Sequence, residues 1–145
     1  MKRFRFKLQT LLDHRRSKEE LLQAELGRIR HEEAVELARL EGLQARLRGA
    51  MSELECLKVS NISALQRLDE YAKAVRDDIK VQYLTIEAVR ERLEAKRVEV
   101  VEAMKARKVI EALHDKQERD YLAEHARAEQ SSLDDMASLR HVRTK

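Results

Sequence analysis

Proline is absent from the sequence and glycine occurs only three times. An all-β or alternating α/β domain draws on those two residues at its turns, so both classes are disfavoured from the outset. Tryptophan is also absent, and the two phenylalanines and three tyrosines are the only other large rings. With 43% hydrophobic residues, mostly Leu, Ala and Val, the chain has little with which to fill a thick core and must bury a narrow seam instead. An enclosed active site does not fit such a chain. Cys56 is the sole cysteine, which excludes an intramolecular disulfide and suits a reducing compartment. No run approaches the roughly 18 apolar residues that a membrane span needs, and Leu8 to Leu12 is too short and polar for a signal-peptide core, so a cytoplasmic protein is expected.

Charge, by contrast, is abundant. Thirty Lys and Arg face twenty-seven Asp and Glu, a formal net charge of +3 that implies no nucleic-acid partner by itself. The excess is concentrated at the start, where residues 1–18 hold Lys2, Arg3, Arg5, Lys7, Arg15, Arg16 and Lys18 against the single acid Asp13.

Apolar residues recur with the four-three spacing of a coiled-coil seam. One series steps by seven through Leu8, Arg15, Leu22, Ile29, Glu36, Leu43, Ala50 and Leu57, and its companion runs through Leu12, Glu19, Leu26, Glu33, Leu40, Leu47 and Leu54. Eleven of these fifteen positions are apolar, which predicts a helix over about residues 5–57, roughly 80 Å long at 1.5 Å per residue. Around Lys58 to Leu65 charge falls and Ser60, Asn61 and Ser63 cluster, the residue types that cap a new helix.

A second seam follows through Leu65, Ala72, Ile79, Ile86, Leu93, Val100, Arg107, His114, Tyr121 and Ala128. Beside it run Leu68, Val75, Gln82, Val89, Lys96, Ala103, Ile110, Gln117, Glu124 and Ser131. It predicts a helix over about 64–139, after a turn over about 58–63 and before a short basic tail over 140–145. Each stripe can be buried only against the other, so the expected fold is all-α: one domain, two long helices in an antiparallel coiled-coil hairpin. Folding about residue 61 pairs residue i with 122 minus i and leaves a C-terminal helical overhang from about Tyr121. Gly42 and Gly49 fall beside the seam, where a long paired helix tolerates them or bends at them.

Catalytic and metal motifs are missing. There is no glycine-rich phosphate loop, and a two-helix rod cannot gather a Ser, His and Asp constellation. Glu111-Ala-Leu-His114 has E-x-x-H spacing, but a di-iron bundle needs two such motifs and further glutamates from four helices, so a surface or seam-edge histidine is expected. His31-Glu32-Glu33 lacks the second histidine of a zinc-protease helix. No enzyme activity, cofactor or metal is expected. A zipper-type DNA reader would continue its basic helix into a parallel dimer, whereas the internal turn favours an intramolecular antiparallel pair.

Three stretches, FRFKLQTLLDHRR, ISALQRLDEYAKAV and ARKVIEALHDKQERDYLAEHARAEQSSLDDMA, resemble the flagellar export protein FliJ family in order and spacing. The more particular elements are F-x-F-x-L-x-x-LL-x-x-R at Phe4 to Arg15, E-x-L at Glu111 to Leu113 and EQ-x-x-LDD-x-A at Glu129 to Ala137. The resemblance implies a component of the bacterial type III export apparatus shaped like the two-helix stalk of a rotary ATPase γ subunit. It implies as partners a hexameric export ATPase at the paired termini, the cytoplasmic domain of the export gate protein near the turn, and export chaperones. The place it implies is peripheral to the inner membrane at the flagellar base. The equivalent stalk of a virulence-type secretion system, a coiled-coil protein that homodimerises through its overhang, and a nucleic-acid or membrane-surface binder are the competing readings.

For the ATPase end, geometry and resemblance together point to Arg3, Phe4, Arg5, Phe6, Arg15 and Arg16, with Glu129, Gln130, Leu133 and Asp134 on the overhang. For the gate, the resemblance implies Tyr71, Val75 and Gln82, the last two on the counted stripe and so candidates for packing. The opening KRFRFKL alternates cations with apolar side chains at strand period. With no second strand to pair with, it is expected to begin a helix, Phe4 packed and Phe6 offered to a partner.

Overall fold

A computed structural model describes residues 4–57 and 61–143, with side chains described through Ser138. Two helices account for nearly all of it, α1 (Gln9–Cys56) and α2 (Ile62–Arg143), and no strand occurs among the described residues. They contribute to two compact units, Met1–Glu20 with Val101–Lys145, and Leu21–Val100.

Within the Leu21–Val100 unit the helices run antiparallel. Lys96 reaches Glu25 at 2.9 Å, Arg90 reaches Glu33 at 2.9 Å, and the Gln44 amide donates to the Tyr83 hydroxyl at 3.3 Å. Pairing i with 122 minus i calls for residues 97 and 89 opposite Glu25 and Glu33, so Lys96 and Arg90 are each one residue away. Ile29, Leu40, Ala50, Ala72, Val75, Ile86 and Val89 are buried along this seam. In the other unit Leu12 and Ala103 are buried, and Arg16 meets Glu111 at 3.0 Å, again antiparallel. The all-α antiparallel hairpin expected from the heptads is therefore the fold.

Of the fifteen seam positions stepped off in the first half, only Leu8 is exposed. Three of the four polar interruptions, Glu19, Glu33 and Glu36, keep their place because each finds a partner across the seam. Glu33 accepts from Arg90, and Glu36 accepts from Gln82 at 2.7 Å through its carboxylate and at 2.9 Å through its carbonyl oxygen.

α2 begins where Asn61 caps it, its Oδ1 accepting the Ala64 amide at 3.2 Å, two residues before the expected start. Ser60 and the rest of Lys58–Ser60 lie outside the described residues. Asn61→Ala removes that acceptor and is expected to cost about 1 kcal/mol, read by chemical denaturation. The other end of α2 continues to Arg143, past the expected 139. Gly27, Gly42 and Gly49 lie inside α1 with ordinary helical φ, and a Cβ on any of them meets nothing within 4 Å.

α1 starts at Gln9 rather than near residue 5, which corrects the reading of KRFRFKL. Phe4 to Phe6 are not helical, and Lys7 and Leu8 form a turn in which the Gln9 amide donates to the Phe6 carbonyl at 3.3 Å. On a helix, residues two apart point nearly opposite ways, whereas in an extended segment they share a side. The strand-period alternation thus lets Phe4 and Phe6 face α2 together.

Candidate functional site

The Met1–Glu20 and Val101–Lys145 unit gathers most of the residues singled out from the sequence. Its first feature is an aromatic cluster. Phe6 meets the His114 imidazole edge-on, centroids 4.9 Å apart and planes at 81°, and Phe4 meets the same ring at 5.6 Å and 79°. Phe4 also lies 5.6 Å from Tyr121, whose ring is in turn 6.2 Å from His125. These separations are within the range of favourable ring pairs. Heptad spacing places His114 and Tyr121 about two helical turns apart on the same face of α2, which is why one short segment can reach both.

Burial corrects the expected role of Phe6, whereas Phe4 packs against His114 and Tyr121 as expected. Phe6 is 7% exposed and packed, while Phe4 is half-buried. An open groove runs beside them, lined by Phe4, Arg5, Phe6, Lys7, Gln9 and His114, with the exposed Arg5 and Lys7 supplying positive charge. Arg15 is half-buried and Arg16 is exposed apart from its bond to Glu111. Arg3 lies outside the described residues.

Next along the unit is a polar layer within the seam. The Arg107 guanidinium donates to both Glu19 oxygens, one at 3.4 Å, and to Glu111, which also accepts from Arg16 Nη2 at 3.0 Å. Glu19 is 6% exposed. The hydrogen bond to Glu19, followed by the Glu111 charge, holds the Arg107 pKa above its ordinary value against desolvation. Two arginines thus occupy the glutamate of the E-x-x-H motif. His114, Asp115 and Glu118 do bring three donor atoms within 4.8 Å of one another, but the two carboxylates are exposed and His114 is engaged by the rings.

Third is the overhang. From Leu122 to Ser138 every side chain except His125 is exposed, including Leu122 (58%), Leu133 (57%) and Met136 (50%). Glu129 lies 3.6 Å from His125, and the Gln130 amide donates to Asp134 at 2.9 Å. Glu129, Gln130, Leu133 and Asp134 are thus neighbours on one open stretch of α2. Sequence reasoning passed over Leu122 and Met136, which fall outside the counted seam; it allowed that Phe4 and Phe6 cap the open end of the coiled coil against Tyr121, but did not find that His114 takes both rings.

In the Leu21–Val100 unit, Tyr71 is 46% exposed beside a shallow groove formed with Glu53, Leu57, Ala64, Arg67 and Leu68. Val75 is 4% exposed and Gln82 spends its amide on Glu36. The three residues therefore do not form one open surface, and only Tyr71 is presented.

Among the described residues no helix is long and apolar enough to cross a membrane. Fold and site together define a class: an all-α antiparallel coiled-coil hairpin in which one stretch of α2 exposes apolar and acidic side chains. A family model described as Flagellar FliJ protein matches residues 4–145, and the chain belongs to the FliJ family, components of flagellar type III export. No curated protein and no solved structure matches the chain.

Proposed function

We propose that the chain is the stalk that couples a hexameric export ATPase to the export gate, helping to deliver substrates or chaperones. The carrying observation is the open stretch Leu122–Ser138, which presents apolar and acidic side chains next to the basic, aromatic N-terminal groove. Exposed Leu and Met beside arginines and half-buried rings are the composition of an interface anchor. This unit enters the ATPase ring through Phe4, Arg5, Arg15, Arg16, Glu129, Gln130, Leu133 and Asp134, with Arg3 as a further contact and Phe6 as the residue that holds the groove in shape. A hairpin lacks sixfold symmetry, so it touches the six subunits unequally and biases their nucleotide states.

Tyr71 is the gate contact, with Val75 and Gln82 holding the helix beneath it. Export chaperones are further partners, and the chain sits in the cytoplasm, peripheral to the inner membrane through those proteins. In the test, purified export ATPase is assayed with and without the full chain. Hydrolysis is expected to rise, and Leu133→Glu is expected to weaken the association about tenfold or more. An unchanged rate and no association would overturn the reading.

A further inference from the structure

The Leu21–Val100 unit has a second apolar stripe, on the side of α2 turned away from the seam. Ala74, Val81, Leu84, Ala88, Ala95 and Val98 recur at alternating heptad spacing two residues after the seam positions. All six are exposed, Val81 at 62%, Leu84 at 71% and Val98 at 56%, and Leu84 is the most exposed large apolar side chain among the described residues. The coiled-coil seam with α1 does not account for this stripe.

Charge says what fits it. One flank of the stripe is the column Lys73, Lys80, Glu87 and Glu94, basic in its first half and acidic in its second. In an antiparallel pair of helices a flank meets the same flank of its partner, run in reverse. A second copy therefore offers Glu94 to Lys73 and Glu87 to Lys80, with the same two contacts repeated by symmetry. Centred between Gln82 and Tyr83, this register sets Leu84 against Val81 of the second copy. It also places Asp77 and Glu91, the two acids within the stripe, opposite Ala88 and Ala74. A parallel pair would instead bring Asp77 against Asp77 and Glu91 against Glu91, which like-charge repulsion disfavours.

We propose that the chain self-associates through this face as an antiparallel two-fold dimer, with Val81 and Leu84 at its centre and Lys80–Glu87 and Lys73–Glu94 pairs along one flank. The proposal goes beyond the stalk reading and does not depend on it. The stripe is short and half alanine, so the buried area falls in the range of transient interfaces and the dimer is weak, half formed near a chain concentration on the order of 100 µM.

Its competing intramolecular pairs are exposed i,i+3 and i,i+4 bridges, Lys80 to Asp77 at 2.8 Å, Arg90 to Glu87 at 3.6 Å and Lys73 to Asp69 at 2.6 Å, which cost little to exchange.

Sedimentation of the full chain over about 5–500 µM is expected to show its mass climbing from one copy toward two. Lys80→Glu should weaken association about tenfold, and Leu84→Glu should abolish it. The double variant Lys80→Glu with Glu87→Lys exchanges the charges across the dyad and should restore it, an outcome that a merely misfolded variant cannot produce. A chain that stays monomeric throughout overturns the proposal and leaves the stripe to a foreign amphipathic helix. Dimerisation that survives Leu84→Glu, or that the double variant fails to restore, overturns it in favour of another surface such as the overhang.

Discussion

Ile86→Ala is expected to destabilise the protein by about 2–5 kcal/mol, whereas Leu84→Ala, two residues away on the same helix, should change stability by less than about 0.5 kcal/mol. The difference follows from where each side chain lies. Ile86 is 2% exposed in the seam, among residues such as Val89 and Leu40 that define the core of the Leu21–Val100 unit, and truncating it removes apolar contact and leaves a void. Leu84 is 71% exposed and loses little that the monomer uses. A domain's whole stability is about 5–15 kcal/mol, so a core truncation of this size removes a large share of it. Urea unfolding followed by circular dichroism measures both variants at low concentration, where self-association is absent. Equal effects at the two positions would mean that the seam and the opposite stripe are wrongly assigned.

The second large effect is expected in the polar layer of the other unit. Arg107→Leu withdraws the cation that offsets the charge of Glu19, a carboxylate 6% exposed, and should lower the melting temperature by about 5 °C or more. Glu19→Leu should cost less, because Arg107 keeps its bond to Glu111 and a leucine suits the seam. Combining the two leaves Arg16 with Glu111 and replaces a part-buried ion pair by apolar packing, so the double variant should be more stable than Arg107→Leu alone. A double variant whose loss equals the sum of the two single losses would show that these groups are not coupled.

The heptad count anticipated the seam well, even at its polar positions. Glu19, Glu33 and Glu36 stay in register because Arg107, Arg90 and Gln82 stand opposite them, and a strict repeat carries such residues into the interface wherever a partner is available. In the second half, the counted positions that are exposed are Gln117, Glu124, Ala128 and Ser131, all at or near the overhang. What the count could not contain was the Phe4–Phe6 segment. Its period of two spans too few residues to outweigh the helical repeat that follows, and its justification lies in His114 and Tyr121, which are remote in sequence. Val75 is the opposite case, one in which the repeat already marked a candidate for packing. Resemblance offered it as a contact for the gate, while the stripe on which it was counted already made it core, at 4% exposure. The second stripe through Leu84 is legible in the sequence as well, but one buried face per helix already satisfies the heptad repeat of a two-helix hairpin.

Gly27, Gly42 and Gly49 carry a mechanical consequence. Nothing crowds them, so each accepts a methyl group without repacking, and alanine at all three should add about 2–3 kcal/mol of helix stability. The stretch of α1 from Gly27 to Gly49 is therefore softer than its packing requires, and its bending compliance can be tuned independently of its contacts. If force or strain travels along α1, the triple alanine variant makes a stiffer spring with unchanged docking surfaces, separating how firmly the protein grips its partners from how well it transmits between them.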